Sequence, residues 1–473
     1  MAAADARKQA SWRVFPELCG RIVVGNEAVS PAAGAGSRRK ATMNLRYGRP
    51  GTESVDVVVV GAGQAGLAVS YYLWSSGVEH LVLERGRVGE SWRSQRWDSF
   101  TLVTPNWMTR LPSHKMTAGT GADFICRDAV VAMLERFACG LPVRVGVDVL
   151  SVTPAGRGYR VTTPGQEVSA RAVVIAGGGQ CVPMIPPLAD RLPAGIHQCD
   201  AARYRNPAGL PPGAVLVVGS GQSGAQIADE LTAAGREVIL ATSRVARVPR
   251  RYRGRDIHEW AVELGLYDQA TEAVTDPAEF REPHPMLSGA RGGHTLALQQ
   301  LARDGVRLLG RLAGAEDTKL TFAPDLPENM NYADQRAAGF RRTVDSYVTS
   351  AGIVAAPRDT DPAERTVPAA PRAPLALDIR AEGITSVVWC TGFGPDAAWV
   401  DVPVLRGDGF PAHHRGVTAS AGLYVAGYPW LSTRGSGILY GVAADSARIA
   451  QHIAATAKGN KTWTQHRQLR TLR

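Results

Sequence analysis

Two short glycine-rich segments predict an α/β fold with two Rossmann-like domains that each bind a dinucleotide. Both have the spacing Gly-x-Gly-x-x-Gly, at residues 61–66 and 219–224. Each follows a valine-rich run, at residues 55–60 and 215–218, and each precedes a helical pattern. A strand, a tight glycine turn and a helix in this order form the phosphate-binding part of a parallel sheet.

The glycines of such a turn have separate tasks. The first permits the tight turn, the second lets a pyrophosphate approach the backbone, and the third lets the helix pack on the strand. Two copies therefore imply two bound dinucleotides. The expected binding residues are Gly61, Gly63, Gln64, Ala65 and Gly66 in the first turn, and Gly219, Ser220, Gly221, Gln222 and Ser223 in the second.

The residues after the second strand of each unit differ between the copies. Glu84 ends this strand in the first copy, and Thr242 has the same offset in the second. A carboxylate accepts hydrogen bonds from an adenosine ribose, whereas Ser243 and Arg244 offer a hydroxyl and a cation to a 2′-phosphate. The pattern favours FAD at the first site and NADPH at the second.

Further cations follow the second site. Arg250 and Arg251 extend the basic character that begins at Arg244. They are compatible with a phosphate site and equally with an exposed basic loop.

Length and charge bound the class of protein. The 473 residues exceed one ordinary core and suit two nucleotide-binding domains. Of the net charge of +10, residues 1–54 carry nine basic against four acidic residues, and residues 455–473 carry five against none, leaving 39 of each between them. A nucleic-acid enzyme would place basic charge on its folded body, so this balance argues against one and predicts solvated basic tails.

The chain shows no secretory or membrane-spanning pattern. No stretch approaches 18 apolar residues, so a soluble, cytoplasmic protein is expected. The six cysteines form no CxxC pair and no zinc-ligand spacing, which predicts no metal site and disfavours transfer of electrons to a redox disulfide.

Beyond the two turns, the chain resembles the class B flavoprotein monooxygenases over about residues 55–455. This family includes flavin-containing monooxygenases, N-hydroxylases and Baeyer–Villiger enzymes, and the bacterial CzcO-like branch is the most similar. The resemblance rests on GESWR at 89–93, RWD at 96–98, AGG at 176–178, CTG at 390–392, GLYVAG at 422–427 and Ser436-Gly437.

The resemblance implies an order of domains, with the NADPH domain inserted into the FAD domain. A helical insertion within the NADPH domain would cover the active site. The implied segments are a disordered basic tail at 1–49, a first FAD-binding segment at 50–190, the NADPH domain at 191–375 with its insertion at about 245–345, a second FAD-binding segment at 376–455, and a basic tail at 456–473.

It also implies the chemistry. NADPH reduces the flavin, O₂ adds to form a C4a-hydroperoxide, and that species oxygenates a small-molecule substrate. Further residues implied to bind FAD are Arg85, Ser91, Trp92, Gly177, Thr391, Gly392, Gly427 and Gly437, and those implied beside the isoalloxazine are Trp97, Thr104 and Asn106.

The substrate is indicated less directly. The motif of Baeyer–Villiger enzymes is matched only loosely, by His197 and Tyr204, so oxygenation of nitrogen or sulfur is favoured and ketone insertion is the alternative. Arg291 and His294 precede a helical pattern, as does Arg434, and cations at helix starts suit a small anionic amine or amino acid.

Several interpretations stay open at this point. Arg291 could equally serve the NADP phosphates, and Arg434 the FAD loop. The rival functions are an NAD(P)H flavin oxidoreductase without oxygen insertion and a non-enzymatic nucleotide-binding protein. A homodimer is also left open.

Overall fold

Two parallel sheets organise the computed structural model, which describes residues 53–115, 123–365 and 373–459. The predicted tail at 1–49 lies outside the described residues, as do residues 460–473 of the second tail. Residues 456–459 do not belong to a tail, because the last helix continues through them.

The strands and helices are numbered here in chain order. The strands of the first half are β1 (Glu53–Val60), β2 (His80–Glu84), β3 (Arg110–Leu111), β4 (His114–Lys115), β5 (Val143–Val145), β6 (Ser151–Ala155), β7 (Gly158–Thr162), β8 (Glu167–Ile175), β9 (Val182–Pro183), β10 (His197–Asp200), β11 (Ala214–Val218) and β12 (Val238–Ala241). Those of the second half are β13 (Arg251–Tyr252), β14 (Arg255–Asp256), β15 (Leu287–Ser288), β16 (His294–Thr295), β17 (Arg307–Leu309), β18 (Leu312–Glu316), β19 (Lys319–Phe322), β20 (Ala376–Asp378), β21 (Ile384–Trp389), β22 (Phe393–Gly394) and β23 (Leu423–Val425). The helices are α1 (Gln64–Ser75), α2 (Glu90–Ser94), α3 (Arg127–Ala138), α4 (Gln222–Ala233), α5 (Ile257–Glu263), α6 (Leu298–Arg303), α7 (Leu326–Ser350) and α8 (Val442–Gly459).

The first sheet has the strand order β5-β2-β1-β8-β7-β6, and β23 also pairs with β8. β1 lies between β2 and β8 and is parallel to both. Its residues from Val57 to Val60 are buried because both faces of a parallel sheet are covered. β6, β7 and β8 form an antiparallel meander, and β23 brings the end of the chain back beside the C-terminal half of β8.

The second sheet has the order β10-β21-β11-β12-β17, and all its pairs are parallel. β21 lies inside this sheet, between β10 and β11. The predicted domain boundary at residues 375 and 376 is therefore too early, because the chain leaves the second sheet only after Trp389.

The predicted helical insertion at about 245–345 has a mixed structure. It contains α5 and α6 and begins the 25-residue helix α7. However, β17 returns to the second sheet, and β18 and β19 form a hairpin that continues into β20. The expectation of a helical insertion was wrong in part, since strands of this segment complete a sheet.

The helices at the two turns begin where the glycine pattern predicts. α1 starts directly after Gly63 and α4 directly after Gly221. The last helix begins at Val442. None of the helices in the described part of the chain is long and apolar enough to cross a membrane.

Candidate dinucleotide-binding and substrate site

The two glycine-rich turns have nearly the same geometry. Gly61 and Gly219 have φ angles of +109° and +99°, which residues with a Cβ rarely adopt. A Cβ on Gly66 would lie 1.9 Å from the Gly61 oxygen, and one on Gly224 would lie 1.8 Å from the Gly219 oxygen. Close packing of helix on strand thus accounts for the third glycine of each turn.

The middle glycine of each turn has a different explanation. A Cβ on Gly63 or Gly221 would have no atom within 4 Å, and both residues have ordinary negative φ angles. Each is also the N-cap of its helix and makes no side-chain capping hydrogen bond. The protein itself does not require glycine here, whereas a phosphate at the open helix end would need that space.

A cavity of about 1140 Å³ opens between the two turns. It lies at the carboxyl ends of parallel strands of both sheets, where open α/β sheets bind their ligands. It exceeds the roughly 300–1,000 Å³ of an ordinary single-ligand cleft. The predicted residues that line it are Gly61, Gly63, Gln64, Ala65, Glu84, Arg85, Ser91, Trp92, Thr104, Gly177, Gly219, Gly221, Gln222, Ser223, Ser243, Thr391, Gly392, Gly427, Arg434 and Gly437.

The first half of the cavity holds an oriented carboxylate. The two oxygens of Glu84 accept hydrogen bonds from the backbone N–H groups of Ala62 and Gly86, at 2.7 and 2.9 Å. Trp92 Nε1 donates to Gln64 Oε1 at 3.0 Å, which ties α2 to the first turn. The carboxylate is fixed at the cavity wall and keeps lone pairs for ribose hydroxyls.

Two cavity residues of this half escaped prediction. Gln95 has a buried Oε1 without a hydrogen-bond partner among the described residues, so it can accept an N–H from a ligand. The Arg96 guanidinium lies over the rings of Trp92 and Phe100, at 5.4 and 5.6 Å. Burial lowers the pKa of Arg96 to about 10, and the cation suits an anionic group of a cofactor. Arg96 opens the RWD segment, which carried only the resemblance, and Gln95 directly precedes that segment.

In the second half of the cavity, two hydrogen bonds join Ser220 of the glycine-rich turn to Ser243, which follows the strand β12. The Ser243 N–H donates to Ser220 Oγ at 2.9 Å, and the Ser220 N–H donates to Ser243 Oγ at 3.2 Å. Ser220 is fully buried and does not line the cavity, so the expected direct contact with a cofactor was wrong. Its hydroxyl instead holds the turn in place. The same holds for Gly66, which packs against the backbone of the first turn and does not line the cavity.

Arg244 is exposed and lies outside the cavity lining, close to a second cation. Its guanidinium lies 4.4 Å from the ring centroid of Tyr332 on α7. Arg336, one helical turn further along, lines the cavity and pairs with Glu282 at 2.8 Å. The sequence could not link Arg336 to Arg244, because α7 reaches this place only through the tertiary fold.

Arg250 and Arg251 do not belong to this cluster. Arg250 is buried, pairs with Asp256 at 2.7 Å and donates to the carbonyl of Val103. Arg251 donates to backbone carbonyls of residues 292 and 293. Their prediction as phosphate ligands was wrong, since neither lines the cavity and both guanidinium groups bind protein acceptors.

Two residues expected beside the flavin lie in the interior instead. Trp97 packs in the core of the second sheet, edge-on to Phe100 at 5.0 Å and near Tyr204. Asn106 is buried in a short 3-10 turn and does not line the cavity. Of the three residues predicted there, only Thr104 reaches the cavity wall, together with Leu102 and Val103 directly before it.

Arg291 and His294 form a separate surface cluster with Asp229 of α4. Arg291 pairs with the Asp229 carboxylate at 2.7 Å, and His294 Nε2 lies 3.2 Å from it. Burial alone would raise the pKa of Asp229, but His294 and Arg291 hold it below its ordinary value. Neither residue lines the cavity, so their expected role in substrate binding was wrong.

Arg434 does face the cavity, but its charge is already partnered. It donates to Glu279 Oε2 and to Gln269 Oε1, both at 3.0 Å, and it lies 4.9 Å from the ring centroid of Trp430. Phe280 meets Trp430 edge-on at 5.2 Å. These contacts join the segment before Glu282 to the segment after β23, and they define an aromatic wall of the cavity.

The residues that matched the Baeyer–Villiger motif do not converge on the cavity. His197 is exposed on β10, and Tyr204 is buried with its hydroxyl donating to Glu230 at 3.0 Å. No group of three or more His, Cys, Asp or Glu in the described ranges could hold a metal ion.

Two nucleotide-binding turns that open onto one cavity define, by fold and site, an oxidoreductase with two dinucleotide sites. Comparison with known proteins supports this class. The profile of the family "Pyridine nucleotide-disulphide oxidoreductase" matches residues 58–254. A Geobacillus kaustophilus protein, "Uncharacterized oxidoreductase CzcO-like", is 30% identical over 404 residues, which cover 84% of this chain and 98% of that protein.

Two solved structures share the fold. A flavin-containing monooxygenase from Stenotrophomonas maltophilia superposes with a TM-score of 0.59 at 22% identity, over 85% of this chain and 99% of that one. The protein OTEMO, in complex with FAD and NADP, superposes with a TM-score of 0.52 at 15% identity, over 86% of this chain and 85% of that one. The chain belongs to the family of CzcO-like oxidoreductases.

Proposed function

We propose that this protein is a monooxygenase that inserts oxygen at the nitrogen of a small amine substrate. The observation that carries the proposal is the single cavity shared by both glycine-rich turns. A hydride donor and a flavin bound at these turns would meet inside it, next to the space left for a substrate. The chain has no CxxC pair that could take the electrons instead.

The first turn and Glu84 would hold the pyrophosphate and ribose of FAD, with Gln95 and Arg96 along the same wall. The second turn and Ser243 would hold NADPH, its adenosine end toward Arg336 and Arg244. The open space at both middle glycines and the unpartnered Gln95 Oε1 fit this arrangement. When bound, FAD takes a hydride from NADPH and activates O₂.

The task of the protein is then to position the substrate and to exclude water. The cavity wall formed by Phe280, Trp430 and Leu439 is apolar and suits the carbon part of a small amine. Of the cations first considered for an anionic substrate, only Arg434 faces this space. To recognise a substrate carboxylate, Arg434 would therefore have to bind that carboxylate and Glu279 at the same time.

The test is an assay of the purified protein with NADPH, ¹⁸O₂ and a panel of small amines, amino acids and cyclic ketones. We expect an N-hydroxylated product that carries one ¹⁸O atom, formed in proportion to the NADPH consumed. Lactone or ester from a ketone, with all amines inert, would show a Baeyer–Villiger enzyme. Recovery of all consumed O₂ as H₂O₂ with every compound would show an oxidoreductase without oxygen insertion.

A further inference from the structure

His284 is an imidazole on the cavity wall that the proposed function does not yet use. Its side chain is exposed to the cavity, and it lies in the same part of the lining as Phe280 and Arg434. Within the described part of the chain, no hydrogen bond or ion pair engages its ring. Histidines inside proteins usually have a partner, so a ring left free toward a ligand space is available to a ligand.

The backbone around His284 is held in place. Pro283 and Pro285 flank it, and proline fixes its own φ angle and restricts the residue before it. Met286, directly after Pro285, donates its N–H to the carbonyl of Ala246 at 2.9 Å. Gln222, the first residue of α4, places its side-chain amide 3.4 Å from the Pro285 carbonyl. The backbone that carries the imidazole is thus held beside the second glycine-rich turn.

The charges around the ring favour the neutral imidazole. Desolvation by the protein atoms of the surrounding cavity wall lowers the pKa of His284, and the Arg434 cation from the opposite segment lowers it further. Glu279, the carboxylate on the same segment, is bound to Arg434. The neighbouring His258 is itself neutral, because burial lowers its pKa to about 4. A ring whose pKa is lowered in this way stays neutral, and so able to accept a proton, below its ordinary titration range.

We propose that His284 removes a proton from the ammonium group of the substrate before its nitrogen is oxygenated. This inference rests on the proposed function, because only the free amine has the lone pair that forms the N–O bond. The N–H bond of the ammonium breaks, and His284 becomes an imidazolium. Overall, R–NH₃⁺, NADPH and O₂ give R–NHOH, NADP⁺ and H₂O. The proton held by His284 leaves in that water, so the balance needs no further proton.

The test is the pH profile of kcat/KM for product formation, with amines of different basicity. For the wild-type protein, the acidic limb should fall at the same pH, below 6.5, for every amine, because His284 sets it. For His284→Gln, kcat/KM at pH 7 should fall about a hundredfold and should rise tenfold per pH unit up to the pKa of each amine. Added imidazole should restore part of the rate to His284→Ala.

His414→Gln is the matched control, since this histidine is exposed on the surface and its variant should keep the wild-type profile. An acidic limb that moves with the pKa of the amine in the wild-type protein would overturn the role of His284, and this measurement needs no variant. A wild-type profile in His284→Gln would do the same while leaving N-oxygenation intact. Failure of the wild-type protein to oxygenate any amine would instead overturn the proposed function.

Discussion

At the scale of single residues, identical residue types have different physical reasons to be present. The middle glycine of each turn leaves space that no protein atom fills, whereas the third glycine is pressed against a backbone oxygen. The arginines near the second site also differ in their surroundings. Arg250 forms a buried ion pair with Asp256, whereas Arg244 is exposed and lies over the ring of Tyr332.

The middle glycines should tolerate a side chain structurally but not functionally. Gly63→Val should fold and lose bound flavin, because the side chain enters the phosphate space. Gly221→Val should keep its flavin and lose reduction by NADPH. Absorbance at the flavin band and stopped-flow reduction measure the two effects. Gly66→Ala is the contrast, since its Cβ would lie 1.9 Å from the Gly61 oxygen and should destabilise the fold itself. A colourless Gly221→Val would reverse the assignment of the two sites.

The preference for NADPH over NADH should depend on Arg244 and Arg336. Replacing either by alanine should narrow the ratio of kcat/KM values about tenfold, since one charge-assisted contact to the 2′-phosphate is worth about 1.5 kcal/mol. Steady-state kinetics with both coenzymes measure this ratio. Arg251→Ala is the control, because its guanidinium binds backbone carbonyls outside the cavity. An unchanged ratio in both test variants would place the phosphate elsewhere.

His258 should make the free energy of unfolding depend on pH. Its ring nitrogens contact Tyr267 Oη at 2.5 Å and the Val103 carbonyl at 3.2 Å, and burial lowers its pKa to about 4. Between about pH 6.5 and 4, the unfolded chain binds a proton that the folded protein does not. The stability contributed by the neutral ring is therefore lost as the pH falls, by at most about 1.4 kcal/mol per pH unit.

Urea denaturation at pH 7 and pH 5 tests this dependence. His258→Asn should be less stable than the wild-type protein at pH 7 and should lose less stability on going to pH 5. Equal losses in the two proteins would show that other groups cause the effect.

At the scale of elements, the segment at 266–282 is fastened to the segment that follows β23. The Thr271 N–H donates to the Ser432 carbonyl, and the Gly435 N–H donates to the Tyr267 carbonyl, at 3.0 and 2.9 Å. Phe280 and Trp430 add an aromatic contact at the cavity wall. This side of the cavity wall is therefore built from loop and turn segments that backbone hydrogen bonds hold together.

Removal of the Phe280 ring should open this wall to water. In Phe280→Ala, NADPH should still be consumed, but a larger share of the consumed O₂ should appear as H₂O₂, since water near an activated flavin diverts the reaction. A peroxidase-coupled assay gives the ratio of H₂O₂ to NADPH. Leu150→Ala is the control, because Leu150 is an exposed apolar residue outside the cavity lining. An unchanged ratio in Phe280→Ala would show that this ring does not exclude water.

At the scale of the whole molecule, two sheets share one ligand space. The chain crosses from the first sheet to the second and returns after Trp389, so the carboxyl ends of β1, β8, β11 and β21 converge on the cavity. A ligand in this space contacts residues of both sheets. If it binds only the folded protein, it raises the free energy of unfolding.

FAD should raise the Tm of the cofactor-free protein. At a free concentration one hundred times its Kd, the ligand adds about 2.7 kcal/mol to the free energy of unfolding. NADP⁺ should raise the Tm further in the wild-type protein but not in Gly221→Val. Differential scanning calorimetry measures both shifts. An equal NADP⁺ shift in Gly221→Val would show that the second turn does not bind the nucleotide.

The sequence by itself determined the two turns, the helices that follow them and the family. These features are local, since a valine-rich strand, a glycine turn and a helix start are fixed by residues within a few positions of one another. The contrast between Glu84 and Ser243-Arg244 was also readable, because each follows its turn at a set distance along the chain.

Only the tertiary structure decided which cations and aromatic residues face the cavity. Arg291 meets Asp229 across 62 positions in the chain, and Arg244 meets Tyr332 on a helix that belongs to a later segment. It also placed β21 in the second sheet and left His284 free at the cavity wall. A charged or aromatic side chain takes its partner from whatever the fold brings within a few ångströms, and local sequence carries no record of that choice.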